Sequence, residues 1–259
     1  MEQFYSIYFT IVFFVIGLVF GSFYNVVGLR LCNNENLLFP GSHCPKCNHK
    51  LKPYELIPVL SYIFLKGRCK KCKEKISIMY PFIELCTGIL FAVSFYRYGF
   101  NIELVLALLL SSLFMIIVVT DLNYYIIPDS IIVVFGILIF IYNIVSKGII
   151  DACTYAVYGL MMFLLIYLLM KLGNALFKKE SLGGGDIKLM GILGMINKPL
   201  VSVTALTIAA FVALPCSVYF LKKNKDKVIP FGPFIVVGFL LIMFFGIDVK
   251  DIIEFLTRY

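Results

Sequence analysis

The stretch Leu104–Asp129, LVLALLLSSLFMIIVVTDLNYYIIPD, decides how this chain folds. Its apolar part, Leu104–Thr120, has the length and composition of a helix in hydrocarbon, and it runs directly into Asp121. A second aspartate, Asp186, follows a glycine triplet and opens another apolar stretch, GGGDIKLMG (Gly183–Gly191). An ionisable side chain in hydrocarbon costs about 3 kcal/mol unless something pairs or uses it. Two such residues, each at one end of an apolar segment, therefore point to chemistry on a membrane substrate.

The rest of the chain agrees with a membrane setting. Of 259 residues, 61% are hydrophobic and only 15% are charged, with a mean hydropathy of +0.96. That excludes an ordinary soluble domain. Apolar runs predict eight spans: Phe4–Val27, Tyr80–Tyr96, Ile102–Thr120, Ser130–Val145, Ala152–Leu172, Ile187–Ile196, Leu200–Leu221 and Ile229–Ile247. No cleavable signal peptide is expected, because no small-residue cleavage site follows the first run. The sixth span is too short to cross ~30 Å of hydrocarbon at about 1.5 Å per residue, so it is expected to tilt, thin the bilayer or pack inside the bundle.

The net charge of +8 is topological. Of 23 Lys and Arg, all but Arg97, Lys147, Lys198, Lys250 and Arg258 lie in the segments Arg30–Lys75, Lys171–Lys188 and Lys222–Lys227. Such clustering marks cytoplasmic loops rather than a nucleic-acid face. Eight crossings put all three segments on the cytoplasmic side and both termini on the other. Asp121 and Asp186 then lie at one depth, at the cytoplasmic end of the third span and the cytoplasmic start of the sixth. The predicted architecture is an all-α polytopic membrane protein with a small cytoplasmic insert. Residues 1–31 form the first transmembrane helix, 32–79 the insert, and 80–259 the transmembrane catalytic core.

Within the insert, CPKCNHKLKPYELIPVLSYIFLKGRCKKC (Cys44–Cys72) carries two CxxC pairs, Cys44/Cys47 and Cys69/Cys72. In a reducing compartment such spacing indicates one tetrahedral zinc ion with four thiolate ligands. Four sulfurs fill the coordination shell, so the zinc is expected to be structural, stapling a segment with little core of its own. His43 and His49 are read as surface residues. The single cysteines Cys32, Cys86, Cys153 and Cys216 carry no pattern.

Two apposed carboxylates can divide acid and base roles, because neighbouring like charges resist ionising together. One takes a proton from water, which attacks a peptide carbonyl; the other bonds the carbonyl oxygen and protonates the leaving amine. Gly183–Gly185 permits a tight turn or close approach of a substrate strand; the simpler role is a hinge, with Asp186 capping the sixth helix. Pro128 should break the chain before the fourth helix, with Asp129 at or near its N-cap. Glu84 is expected to cap its own helix, with binding a polar loop or assisting the site as alternatives, and Lys188 either to neutralise Asp186 or to extend to the lipid surface. Asn25 and Ser22 should hydrogen-bond within the bundle. Glu35, Glu55 and Glu74 are available as local partners for basic groups.

These segments, taken in order, resemble the type IV prepilin peptidase family. GSFYNVVGLRL (Gly21–Leu31), the four-cysteine insert, LIPVLSYIFLKGRC (Leu56–Cys69), ISIMYPFIE (Ile76–Glu84), DLNYYIIPD (Asp121–Asp129), GGGDIKL (Gly183–Leu189) and IPFGPF (Ile229–Phe234) all have counterparts there. The chain departs from the family pattern at Cys32, at Gly28 and in having three glycines before Asp186. The resemblance implies that Asp121 and Asp186 are the catalytic pair. It implies a prepilin or pseudopilin substrate, cut after a glycine at the cytoplasmic membrane face of a bacterial cell. It also implies N-methylation of the new terminus from S-adenosylmethionine, placed in the insert, where Gly67 and Arg68 match a Gly-basic-Cys element. Two alternatives stay open on the residues themselves: a peptidase without methylation, and a transporter or scaffold whose aspartates carry protons.

Overall fold

The computed structural model of the chain describes residues 2–177, 183–223, 230–247, 250, 251 and 254. Lys178, Lys179 and most of the basic segment Lys222–Lys227, on which the charge asymmetry partly rests, lie outside the described residues. Among those residues the helices are α1 (Glu2–Cys32), α2 (Leu60–Phe64), α3 (Met79–Tyr98), α4 (Ile102–Tyr124), α5 (Asp129–Lys147), α6 (Ile149–Phe177), α7 (Gly184–Leu193), α8 (Pro199–Lys223) and α9 (Gly232–Phe245). In lipid, a backbone must satisfy its own polar groups, and a helix does so within one segment. Six helices, α1, α3, α4, α5, α6 and α8, are long and apolar enough to cross a membrane, which makes this a multi-pass membrane protein.

Each of the eight expected spans contains a helix, with two informative differences. α7 and α9 hold only 10 and 14 residues, too few to cover ~30 Å at about 1.5 Å per residue. Both are instead buried by neighbours: Ile187, Leu189, Met190 and Leu193 of α7, and Ile235, Val236 and Phe239 of α9, are at most 4% exposed. The second difference concerns Asp121. α4 runs past it to Tyr124 and ends where Tyr125 takes a left-handed φ of 56°. Asp121 is thus held inside the last helical turn rather than following the helix.

The chain divides into two compact units, Met1–Leu104 and Val105–Tyr259. In the first, α1 and α3 form an antiparallel pair. Phe9 and Phe13 meet Phe95, Gly17 meets Gly88, Gly21 meets Glu84, and Asn25 donates to the Tyr80 carbonyl at 3.3 Å. A Cβ at Gly17 or Gly21 would come within 2.7 Å of α3 backbone, so these small residues set the helix separation. The insert leaves and re-enters at the Asn25–Tyr80 end of this pair.

In the second unit, α4 is the most enclosed of the six long helices, with 67% of its apolar window buried against 11% for α1. α7 packs on α5, α6 and α9. Its C-terminal end is secured by Asn143 Nδ2, which donates to the Met195 carbonyl at 2.8 Å, and by Lys147, which reaches the Ile196 carbonyl at 3.4 Å. The short helix that begins beside Asp186 is therefore fixed at both ends.

Candidate active site

Asp121 is buried, at 6% exposed. Its carboxylate accepts the backbone N–H of Gly232, the first residue of α9. That N–H is one of the four at a helix start with no intrahelical acceptor, so α9 directs an unused donor at the acid. Gly232 also leaves the space: a Cβ there would lie 3.1 Å from Asp121 Oδ2, 2.9 Å from Ile127 Cδ1 and 3.2 Å from Ile117 Cγ2. IPFGPF was conspicuous as a motif in the sequence, but nothing in it revealed that Gly232 would hold Asp121.

Asp186 occupies the third position of α7 and accepts the N–H of Gly183, the N-cap residue. This is half of a capping box, so the simpler role of capping α7 is realised. The same carboxylate also stands close enough to Asp121 for that residue's charge to act on it. Ile127, 7% exposed, lies between the two sites. It would be 3.1 Å from a Cβ at Gly185 and 2.9 Å from one at Gly232. Of the triplet, only Gly185 meets such packing, since a Cβ on Gly184 would find nothing within 4 Å. The aspartates are brought together around one aliphatic side chain and two bare backbone positions.

Three neighbouring charged groups take partners other than the favoured ones. The N-cap of α5 is Pro128, with no side-chain cap. Asp129 instead pairs with Lys188 at 2.6 Å on an exposed surface, which leaves Lys188 engaged away from Asp186. Glu84, buried inside α3, does not cap that helix: its Oε2 accepts the Val59 N–H at 2.7 Å, and Ser22 of α1 also bonds it. It fastens the insert to the helix pair.

The insert contains two copies of one turn, offset by 25 residues. Cys44 N–H donates to His49 O, Asn48 to Cys44 O and Leu51 to Ser42 O; Cys69 donates to Glu74 O, Lys73 to Cys69 O and Ile76 to Gly67 O. Asn48 and Lys73 share left-handed φ values of 53° and 60°. The two turns bring Cys44, Cys47, Cys69 and Cys72 together, with all sulfurs within 4.8 Å of one another. Sulfurs about 2.3 Å from a tetrahedral zinc would be about 3.8 Å apart. The Cys44–Cys72 and Cys47–Cys69 separations are 3.8 and 3.9 Å, so the cluster fits a metal ion and is far too open for disulfides. Backbone N–H groups of Cys72 and Lys71 draw the Cys69 thiol down to about 6. Cys72, although lowered by the Glu74 N–H, is pushed up to about 12 by burial and its three sulfur neighbours; a cation at the centre would remove that conflict. His43 is exposed, and His49 contacts Glu55 at 3.3 Å.

Gly67 is buried in a turn with φ of 64°, where a Cβ would meet the Tyr62 ring at 2.9 Å; Arg68 beside it is exposed. Neither lines the cavity of about 530 Å³ between the insert, α1 and α3, whose wall includes Ser22, Glu55, Tyr62, Leu65, Tyr80 and Glu84.

Comparison with known proteins shows the family of the chain. The family model described as Bacterial Peptidase A24 N-terminal domain matches residues 15–98, and that described as Type IV leader peptidase family matches residues 108–218. A prepilin leader peptidase/N-methyltransferase of Bacillus subtilis (strain 168) is 33% identical over 242 residues, 91% of this chain and 94% of that one. The protein of that name from Pseudomonas putida is 30% identical over 93% of this chain and 92% of its own. Its Myxococcus xanthus (strain DK1622) counterpart is 40% identical over 72% of this chain and 55% of its own. No solved structure matches. Matched along nearly its whole length, the chain belongs to the type IV leader peptidase family.

Proposed function

We propose that this chain is an intramembrane aspartyl endopeptidase that removes the basic leader of prepilin-like proteins after a glycine and then N-methylates the exposed terminus. Asp121 and Asp186 are the catalytic pair. The observation that carries the reading is that Asp121, fixed by the Gly232 N–H, lies within electrostatic reach of Asp186, fixed by the Gly183 N–H. The prepilin leader peptidase/N-methyltransferase name shared by the relatives supports both activities.

In the working state the pair holds one proton. The ionised carboxylate removes a proton from water as the oxygen adds to the scissile carbonyl. The protonated one hydrogen-bonds the carbonyl oxygen and then gives its proton to the departing nitrogen as the C–N bond breaks, so the pair again holds one proton, the one taken from water. Each acid bonds a backbone amide, which restricts it to one orientation and spares the reaction that ordering. The clustering of Lys and Arg in three segments supports a site at the cytoplasmic face of the bacterial membrane, where water is at hand.

The four cysteines hold a structural zinc ion, for which their separations are suited. Methylation belongs to the first unit. When bound, S-adenosylmethionine supplies a methyl group whose bond to sulfur breaks with both electrons left on sulfur, the amine nitrogen's lone pair taking up the carbon. Gly67 and Arg68 act by shaping the turn that presents Leu65, Cys69 and Lys70 on the cavity wall.

The test is incubation of the purified protein in nanodiscs with a prepilin and S-adenosylmethionine. Wild type shortens the substrate and adds one methyl to its new terminus by mass spectrometry. Asp121→Asn and Asp186→Asn each abolish cleavage while the protein stays folded and inserted. Cleavage retained by either variant rules out the catalytic pair.

A further inference from the structure

The cavity beneath the insert carries a feature that neither proteolysis nor metal binding uses. Glu55 is 6% exposed and lines the wall. Its Oε2 accepts the Lys52 N–H at 2.8 Å and faces His49 Nε2 at 3.3 Å, but its buried Oε1 has no hydrogen-bond partner. Glu84, 8% exposed, lines the same wall with its Oε2 committed to Val59. Buried carboxylate oxygens are ordinarily satisfied, and an orphan marks a position where a donor is missing.

The basic side chains around this space do not supply that donor. Arg30 gives its guanidinium to the carbonyls of Asn36, Leu37 and Pro40. Lys46 faces Glu74 at 3.8 Å, and Lys70 donates to Tyr54 Oη at 2.8 Å. Val26, Leu29, Leu65 and Ile76 make much of the remaining wall apolar, with the Tyr62 and Tyr80 rings among them. A space of about 530 Å³ with much of its wall apolar and one buried carboxylate oxygen lacking a donor is suited to a cofactor-sized ligand with a cationic end.

Resting on the methylation reading above, we propose that this cavity is the S-adenosylmethionine site. Glu55 Oε1 accepts a hydrogen bond from the ammonium of the donor's methionine end, and the adenosine lies against the apolar wall. Glu55 is thereby a binding residue for the methyl donor, while Glu84 fixes the insert segment that closes the cavity.

The experiment is calorimetric titration of S-adenosylmethionine and of S-adenosylhomocysteine, which keeps the ammonium, into the zinc-replete full chain in nanodiscs. Glu55→Gln preserves size and lowers affinity for both compounds tenfold or more, with one zinc per chain and prepilin cleavage unchanged. Val26→Trp, which fills the cavity from α1 and leaves every residue of the insert unchanged, has the same effect. Glu55→Gln binding with wild-type affinity, or Val26→Trp doing so, overturns the site while leaving methylation by this protein intact. Wild type that cleaves prepilin but neither binds nor uses the donor overturns the methylation reading and the site together.

Discussion

Replacing Gly232 with alanine tests how Asp121 is held. The added Cβ would lie 2.9 Å from Ile127 Cδ1, 3.1 Å from Asp121 Oδ2 and 3.2 Å from Ile117 Cγ2, all inside ordinary van der Waals contact. Overpacking of this kind costs about 1–3 kcal/mol. Up to about 1 kcal/mol returns from the better helix propensity of alanine, leaving a net destabilisation of up to about 3 kcal/mol in thermal unfolding. Cleavage suffers more, since the oxygen must retreat by several tenths of an ångström and its amide bond weakens. Displacements approaching 1 Å cost on the order of 10²-fold in rate, so a loss of about 10- to 10²-fold in prepilin cleavage is expected. Adding Ile127→Val deletes the Cδ1 of the closest contact but not Asp121 Oδ2. The double variant should regain stability while its cleavage stays low. Gly232→Ala cleaving at the wild-type rate would refute the claim that α9 positions Asp121.

The remaining predictions concern the first unit. Cys44→Ser should leave the protein without stoichiometric zinc by atomic absorption and make residues 42–76 exchange amide hydrogens rapidly, with protection of α1 and α3 unchanged. Glu84→Ala strands the part-buried Val59 N–H; loss of such a bond costs about 1 kcal/mol, to be read as faster hydrogen exchange over residues 57–64.

Much of this architecture was legible in the chain because hydrophobic length is a one-dimensional signal. All six helices long enough to span fall on expected segments, and α7's shortness was visible from the ten residues Ile187–Ile196. The cysteine cluster was equally legible, because paired thiols at fixed spacing have few uses. Polar partnerships were not. Glu84 and Val59 are 25 residues apart, and Lys188 and Asp129 are 59 apart; their pairing is decided by how helices face one another, which a linear pattern does not encode. The same holds for Gly232, an unremarked glycine until α9's free amide and Asp121 are seen side by side. The end of α4 was misplaced because an aspartate after an apolar run reads as a stop, whereas the backbone turns left-handed only at Tyr125.

Ile127 acts as a spacer gauge. Because it packs against both Gly185 and Gly232, a change in the bulk of this neutral side chain on a connecting loop is expected to shift the spacing of the two acids. An engineered form with one hydrocarbon group trimmed or enlarged should then show a displaced pH profile of cleavage while both carboxylates stay untouched.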